Sequence, residues 1–432
     1  MQQRGRRARV VGFLGRHAAD ITPLREFPAY RRLWGGLTVS MVGNQMTSVA
    51  VPIQVYDQTH SSLYVGLVGL AGLIGLLAFG LYGGAIADSM DRRRLALFTS
   101  SVLALLSAAL VAQAALGLHS LPLLYGIVLL QAAVFGVDNP ARSAMIPRLL
   151  PSARLPAAYA LAQVGQNVAL TGGPLAAGAL IATSGLSTAY LVDTLSFAAA
   201  LYAMWRLPAI PPEGGGAKAG WKSVAEGLRF LAGRKILLMT FLVDINAMVF
   251  GMPRALFPAI AQKFYGGGAT VVGILYAAIA MGALLGATFG GWLGRVRRQG
   301  LAVIVAILAW GAAITGFGFT RALWLGVLLL AAAGAADMVS AVFRNTILQT
   351  ATPDALRGRL SGVFIVVVAG GPRLGDVESG GIAAAAGLTA SVASGGLLCI
   401  LGVLLLAAAV PAFARYDASE VATTRRSETS PA

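Results

Sequence analysis

Twelve apolar stretches separated by short polar breaks run from residue 33 to residue 412. They fall at 33–57, 62–87, 95–117, 121–146, 155–184 and 186–206, then at 236–261, 270–293, 300–319, 322–348, 356–386 and 388–412. Each is about 20 residues or longer, the length an α-helix needs to cross roughly 30 Å of hydrocarbon. The pattern predicts an all-α membrane protein of twelve transmembrane helices in two six-helix halves, 32–206 and 236–412. Between them, 207–235 opens with Pro208, Pro211, Pro212 and the glycines Gly214 to Gly216, the composition of a linker. It continues with Trp221, Val224, Leu228 and Leu231 at helical spacing among Lys222, Glu226, Arg229 and Arg234, which predicts an amphipathic helix on the membrane surface. A basic tail, 1–31, precedes the spans, and a tail expected to be disordered, 413–432, follows them.

Composition agrees. Of 432 residues, 57% are hydrophobic and only 12% charged, and the mean hydropathy is +0.75; a soluble globule carries about a quarter charged residues. A lone cysteine, Cys399, excludes an internal disulfide and a cysteine metal cluster. His17, His60 and His119 all fall near span borders, so neither a metal site nor a cofactor is expected. The net charge of +16 changes meaning once the charges are placed. With the N-terminus inside, 29 of the 33 Lys and Arg residues lie in the tails and inward loops. That bias predicts a multi-pass cell-membrane protein with both termini cytosolic, and explains the charge without nucleic acid. No phosphate-binding loop and no nucleophile with its base is present, so an ATP-driven pump and an enzyme are both disfavoured.

The loop after the second span reads GGAIADSMDRRRL, Gly83 to Leu95. Asp88 sits at a helix C-terminus, where the dipole is already negative, and Gly80 and Gly84 make a smooth face before it. Gly84, Asp88, Arg92 and Arg93 resemble the loop signature of the major facilitator superfamily. Ser89 and Asp91 depart from it, standing where a basic residue and a glycine are usual. In that superfamily the loop closes the cytosolic side against the start of helix 11, here near Arg357 and Arg359. The resemblance therefore implies that Asp88 latches the outward-facing state, with Arg92 and Arg93 positioning it.

The halves repeat. Val65-Gly66 and the pair Gly83-Gly84 match Val272-Gly273 and Gly290-Gly291. Arg142 and Pro151 recur as Arg344 and Pro353, and Gly172-Gly173-Pro174 as Gly370-Gly371-Pro372. Such repeats place a transporter's binding site between them near mid-membrane. The stretches 50–66, 273–279 and 348–364 resemble the siderophore- and drug-exporting branch that includes enterobactin exporters, and Gly173, Pro174 and Gly178 resemble a fifth-helix motif of proton-coupled exporters. Arg373, Asp376 and Glu378 in the eleventh span depart from that branch.

An ionisable side chain inside a span is a functional candidate by default. Asp193, Asp244 and Asp376 are the candidates for carrying a proton. Asp138 with Arg142, at i and i+4, reads as a fixed ion pair, Asp337 with Arg344 could be a fixed pair or a proton site, and Arg373, beside Asp376, is a further ion-pair candidate. Asn44, Gln45, Ser48, Gln131, Gln163, Gln166, Asn167 and Asn246 are candidates for a substrate cavity, though any of them could bridge helices instead. The reading is a secondary transporter working by alternating access, with protons, a small siderophore-like or amphipathic substrate and the bilayer as partners; protein partners are left open, a monomer among the options. An importer or lysophospholipid transporter of the same fold, and a non-transporting receptor, are the alternatives.

Overall fold

The structure is a computed structural model, and the residues described are 20–211, 229–352 and 354–417, without the side chains of 81–85, 87, 88, 354–367 and 369. The basic tail up to residue 19, most of the linker and of its amphipathic helix, and the tail from 418 lie outside them. So do the side chains of Gly84, Asp88, Arg357 and Arg359, and with them the expected latch.

Twelve long helical passes are seen among the described residues. The first six are α1 (Pro28–Thr59), α2 (Ser62–Ser89), α3 (Arg92–Ala115), α4 (Leu121–Ser143), α5 (Leu155–Ser184) and α6 (Leu186–Trp205). The next six are α7 (Lys235–Phe250), α8 (Ala269–Thr288), α9 (Gln299–Phe319), α10 (Leu323–Ala351), α11 (Asp354–Ala386) and α12 (Leu388–Ala409). Among the described residues nine stretches are long and apolar enough to cross a membrane. The other three are α1 and α5, where Asn44, Gln45 and Gln54, and Gln163, Gln166 and Asn167, dilute the hydropathy, and α11, much of which has no described side chains.

The sequence led to one continuous seventh span, and the structure breaks it. α7 stops at Gly251, where Pro253 cannot donate to the helical ladder, and the chain resumes as a turn, Arg254–Leu256, and a short helix, Phe257–Tyr265. Carbonyls freed inside hydrocarbon need new donors. The indole of Trp310 on α9 donates to the Gly251 carbonyl at 3.0 Å, and the Tyr276 hydroxyl on α8 to that of Arg254 at 3.3 Å.

Each half packs by the same scheme. α1 lies against α5 and α6, α2 against α4, and α3 against α6; α7 lies against α11 and α12, α8 against α10, and α9 against α12. The glycine repeat has its place in this scheme. Gly173 of α5 abuts Val42 and Gln45 of α1, and Gly371 of α11 abuts Met248 of α7.

The bundle has two unlike faces. One carries the tight connections at 60–61, 116–120, 185, 266–268, 320–322 and 387; the other carries Arg93, Arg94, Arg148, Arg154, Arg206, Arg234, Arg295 and Arg297. Both described ends of the chain lie at this basic face. Arg154 holds Glu26 at 3.4 Å, and the Gln299 N–H donates to the Tyr416 carbonyl at 3.1 Å beside a bridge between Arg298 and Asp417. Here too the departure at Asp91 finds a use. Its carboxylate caps α3 at the Arg94 N–H (2.9 Å) and accepts the Ile210 N–H (2.9 Å), while Arg93 donates to the last carbonyls of α6, Met204 and Trp205 (3.0 and 2.6 Å).

The halves meet along α5 with α8 and α2 with α11. Gly178 presses on Ala269 and Thr270, Gly273 on the Pro174 carbonyl, Gly66 on Asp376, and Gly380 on Ser62. All of these contacts belong to the half of the bundle nearer the tight loops. A β-carbon on Gly273 would collide with the backbone of α5. Gly273→Val should therefore cost the closed seam roughly 1–3 kcal/mol and lengthen the distance between spin labels at Ser184 and Lys263; an unchanged distance distribution would show that the seam does not depend on this contact.

Candidate functional site

A cavity of about 570 Å³ lies between α1, α4 and α5. It runs from Tyr30, Ile146 and Tyr159 at the basic face to Asn44, Gln45 and Gln166 near the middle of the bundle. Two aromatic side chains of α1 fasten its walls: the Tyr30 hydroxyl donates to the Ala158 carbonyl and the Trp34 indole to that of Leu161, both at 2.8 Å. Each ring keeps an apolar face for the cavity while its polar end is satisfied on α5. Trp34, Phe135 and Tyr159 together with the amides of Asn44, Gln45, Asn139, Gln163 and Gln166 make a lining suited to a molecule with both flat apolar surface and hydrogen-bonding groups.

The wall on α4 is charged. Asp138 is buried, pairs with Arg142 at 2.5 Å and accepts the Thr99 hydroxyl of α3 at 2.6 Å; Arg142 also donates to Ser100 at 3.1 Å. The pair is clamped to α3 and still borders the cavity.

Of the polar residues singled out in the sequence, Asn44, Gln45, Gln163 and Gln166 line the cavity. The others do not. Ser48 turns back to the Gln45 carbonyl at 2.8 Å, Asn167 accepts from Gln163 at 3.3 Å, and Gln131 is half-buried on α4 outside the lining. Asn246 belongs to packing in the second half, where it donates to the Cys399 carbonyl of α12 at 2.8 Å and fits over Gly402. Trp34, Tyr159, Phe135 and Asn139 went unnoticed in the sequence, the aromatics because they sit in apolar spans where packing is their ordinary role.

The membrane acids divide into three environments. Asp244 on α7 forms a salt bridge with Arg344 on α10, whose other nitrogen lies 3.6 Å from Asp337. Sequence spacing suggested only the Asp337–Arg344 partnership, because Asp244 and Arg344 lie three helices apart. Asp193 on α6 has no salt-bridge partner among the described residues; hydroxyls of Thr47 and Ser107 donate to it at 2.7 and 2.8 Å, inside the first half and away from the cavity. Asp376 lies at the seam, against Gly66 and Gly69 of α2, with Arg254, the Ala255 N–H and Arg373 acting on it. Among the described residues no cluster of His, Cys, Asp and Glu could hold a metal ion.

Residues 18–429 match the family described as transmembrane secretion effector. The chain belongs to that family, within the major facilitator superfamily. It is 31% identical over 388 residues to the enterobactin exporter EntS of Shigella boydii serotype 18, covering 90% of this chain and 93% of that one. The same figures hold for EntS of Escherichia coli O1:K1. Among solved structures, a peptide transporter of the POT family in complex with sulfate superposes with a TM-score of 0.71 at 11% identity, covering 88% of this chain and 95% of the other. A bacterial homologue of the human lysosomal transporter Spinster, inward-facing and unoccupied, superposes with a TM-score of 0.68 at 17% identity, covering 93% and 98%. The protein is thus a multi-pass membrane transporter with the major facilitator fold, two six-helix halves meeting at the α5–α8 and α2–α11 seams.

Apart from the cavity, the second half holds a buried bridge, Asp244 to Arg344, with Asp337 beside it. Removing one partner of such a pair strands the other charge in a medium that cannot solvate it, at a cost of roughly 3–5 kcal/mol. Arg344→Met should lower the thermal unfolding midpoint of the purified transporter sharply, and adding Asp244→Leu should recover much of the loss. Additive losses in the double variant would show that the bridge is not the reason.

Proposed function

We propose that the protein is a proton-coupled exporter, carrying a siderophore-like or amphipathic small molecule from the cytosol outward. The observation that carries this reading is the pairing of a cavity reached from the basic face with halves sealed against each other near the tight loops. By the positive-inside rule the basic face is cytosolic, which puts both termini in the cytosol of a cell-membrane protein and makes this the cytosol-accessible state of an alternating-access cycle. The aromatic and amide lining, together with resemblance to enterobactin exporters, favours a substrate combining aromatic rings with many hydrogen-bonding groups. The monomer contains both halves, so one chain suffices for the cycle.

Inside-out membrane vesicles test this directly. With an acidic lumen they should accumulate a catecholate siderophore, or an amphipathic drug in a parallel screen, and a protonophore should abolish accumulation. Trp34→Ala and Gln166→Leu should raise the apparent KM severalfold with the protein still correctly inserted. Accumulation of lysolipid alone, or only with the opposite gradient, would overturn the reading.

Energy coupling calls for an acid whose surroundings change during the cycle, since a carboxyl that is alternately paired and desolvated can load and release a proton. Asp376 fits, because it lies on the seam that must open. Asp193 is enclosed within one half and Asp244 is committed to Arg344. Asp376→Asn should therefore abolish uphill accumulation while preserving downhill exchange of substrate, and Asp193→Asn should retain uphill transport. The reverse pattern would move the proton to α6.

A further inference from the structure

A second cavity, about 610 Å³, lies at the face of the tight loops, between the ends of α1 and α3, the 117–119 turn and the start of α6. Nothing in the transport reading uses it. Its floor is a buried relay: the Tyr190 hydroxyl donates to Gln54 Oε1 at 2.7 Å, and Gln54 Nε2 donates to Gln113 Oε1 at 3.2 Å. The relay ends with a donor left over. Gln113 is only 1% exposed and lines the cavity, and its Nε2 has no partner. On α1, Gln58 Oε1 is a buried acceptor with no partner among the described residues, and beside it Asp57 presents a carboxylate whose Oδ1 accepts from Gln262 Nε2 at 3.1 Å, with His60 close enough to act on it. Burying an amide without its hydrogen bond costs free energy, so an orphan donor and an orphan acceptor carried by two residues of one cavity's lining call for an occupant that supplies both complements once those side chains turn toward it.

We propose that this cavity binds a small primary amine that also carries an oxygen acceptor, the grouping found in a free amino alcohol or in an aminoethyl phosphate headgroup of a lipid. The ammonium meets Asp57 and Gln58 Oε1; the oxygen accepts from Gln113 Nε2. His119 stands exposed at the rim, the other titratable group of the lining. Gln262 belongs to the second half, on the short helix after the α7 break, so an amine at Asp57 shares a carboxylate whose Oδ1 bonds across the halves at this face.

Radiolabelled ethanolamine is the probe, measured by scintillation proximity on the purified full chain in nanodiscs of phosphatidylglycerol. One saturable site per chain is expected, with ethylamine and ethylene glycol each competing at least tenfold more weakly because each lacks one of the two groups. Asp57→Asn and Gln58→Leu should each weaken binding at least tenfold, and Gln113→Met should do the same; Gln58 lies outside the buried relay, so its variant keeps the test valid if Gln113→Met fails to fold. Gln166→Leu in the first cavity should leave ethanolamine binding unchanged. Displacement by phosphatidylethanolamine added to the nanodiscs assigns the lipid headgroup as occupant, and its failure to displace assigns the free amine. Unsaturable binding, indifference to the Asp57 and Gln58 variants, or loss in Gln166→Leu overturns the proposal.

Discussion

The close meeting of Gly178 with Ala269 and Thr270, and of Gly273 with the Pro174 carbonyl, is the contact on which the rest of the arrangement depends. Lipid tails are as apolar as leucine, so burial alone gives two helical bundles no reason to adhere. Close approach of backbones supplies the missing cohesion through dispersion, and glycine permits it. Because the contact is made of small residues with few directional bonds, it can be broken and remade without leaving polar groups stranded. Gly173, Pro174 and Gly178 are therefore explained by closeness to α1 and α8 whatever the direction of transport.

Inside each half the opposite logic holds. Charged and polar groups are joined by specific bonds that fix helices to one another, such as Asp138 to Arg142 and Thr99, or Asp244 to Arg344. These bonds cost free energy to break in hydrocarbon, so each half behaves as a unit. Rigid halves joined by a small-residue seam are what rocking of one half against the other requires.

Much of this was legible in the sequence. The span at 155–184 coincides with α5, and the repeat of Gly-Gly-Pro marked equivalent contacts in the two halves, because hydropathy and glycine spacing are local signals. The break in α7 was missed although Gly251, Pro253 and Arg254 mark it, because the apolar residues on both sides together have the length of a single span. The partner of Asp244 was hidden for a different reason: spacing along a helix reveals pairs at i and i+4, and Arg344 arrives from another helix. Asn246 looked like a ligand contact because a buried amide inside a span has the same appearance whether it faces a substrate or, as here, the Cys399 carbonyl. The cavity's aromatic residues carried no distinguishing signal at all.

The distribution of acids also has a bearing on how the chain is made. α6 is among the least apolar of the candidate spans, with a mean hydropathy of 1.2 over its best window, and it carries Asp193. The hydroxyls that receive this carboxyl, on Thr47 and Ser107, belong to helices synthesised earlier, so a reception site already stands in the membrane when α6 leaves the ribosome. α7 has no such advantage. Its Asp244 must wait for Arg344, three helices later, and until then the nascent second half holds an acid without its cation. The first half can thus satisfy its buried acid in chain order, whereas the second half satisfies Asp244 only once α10 has been made.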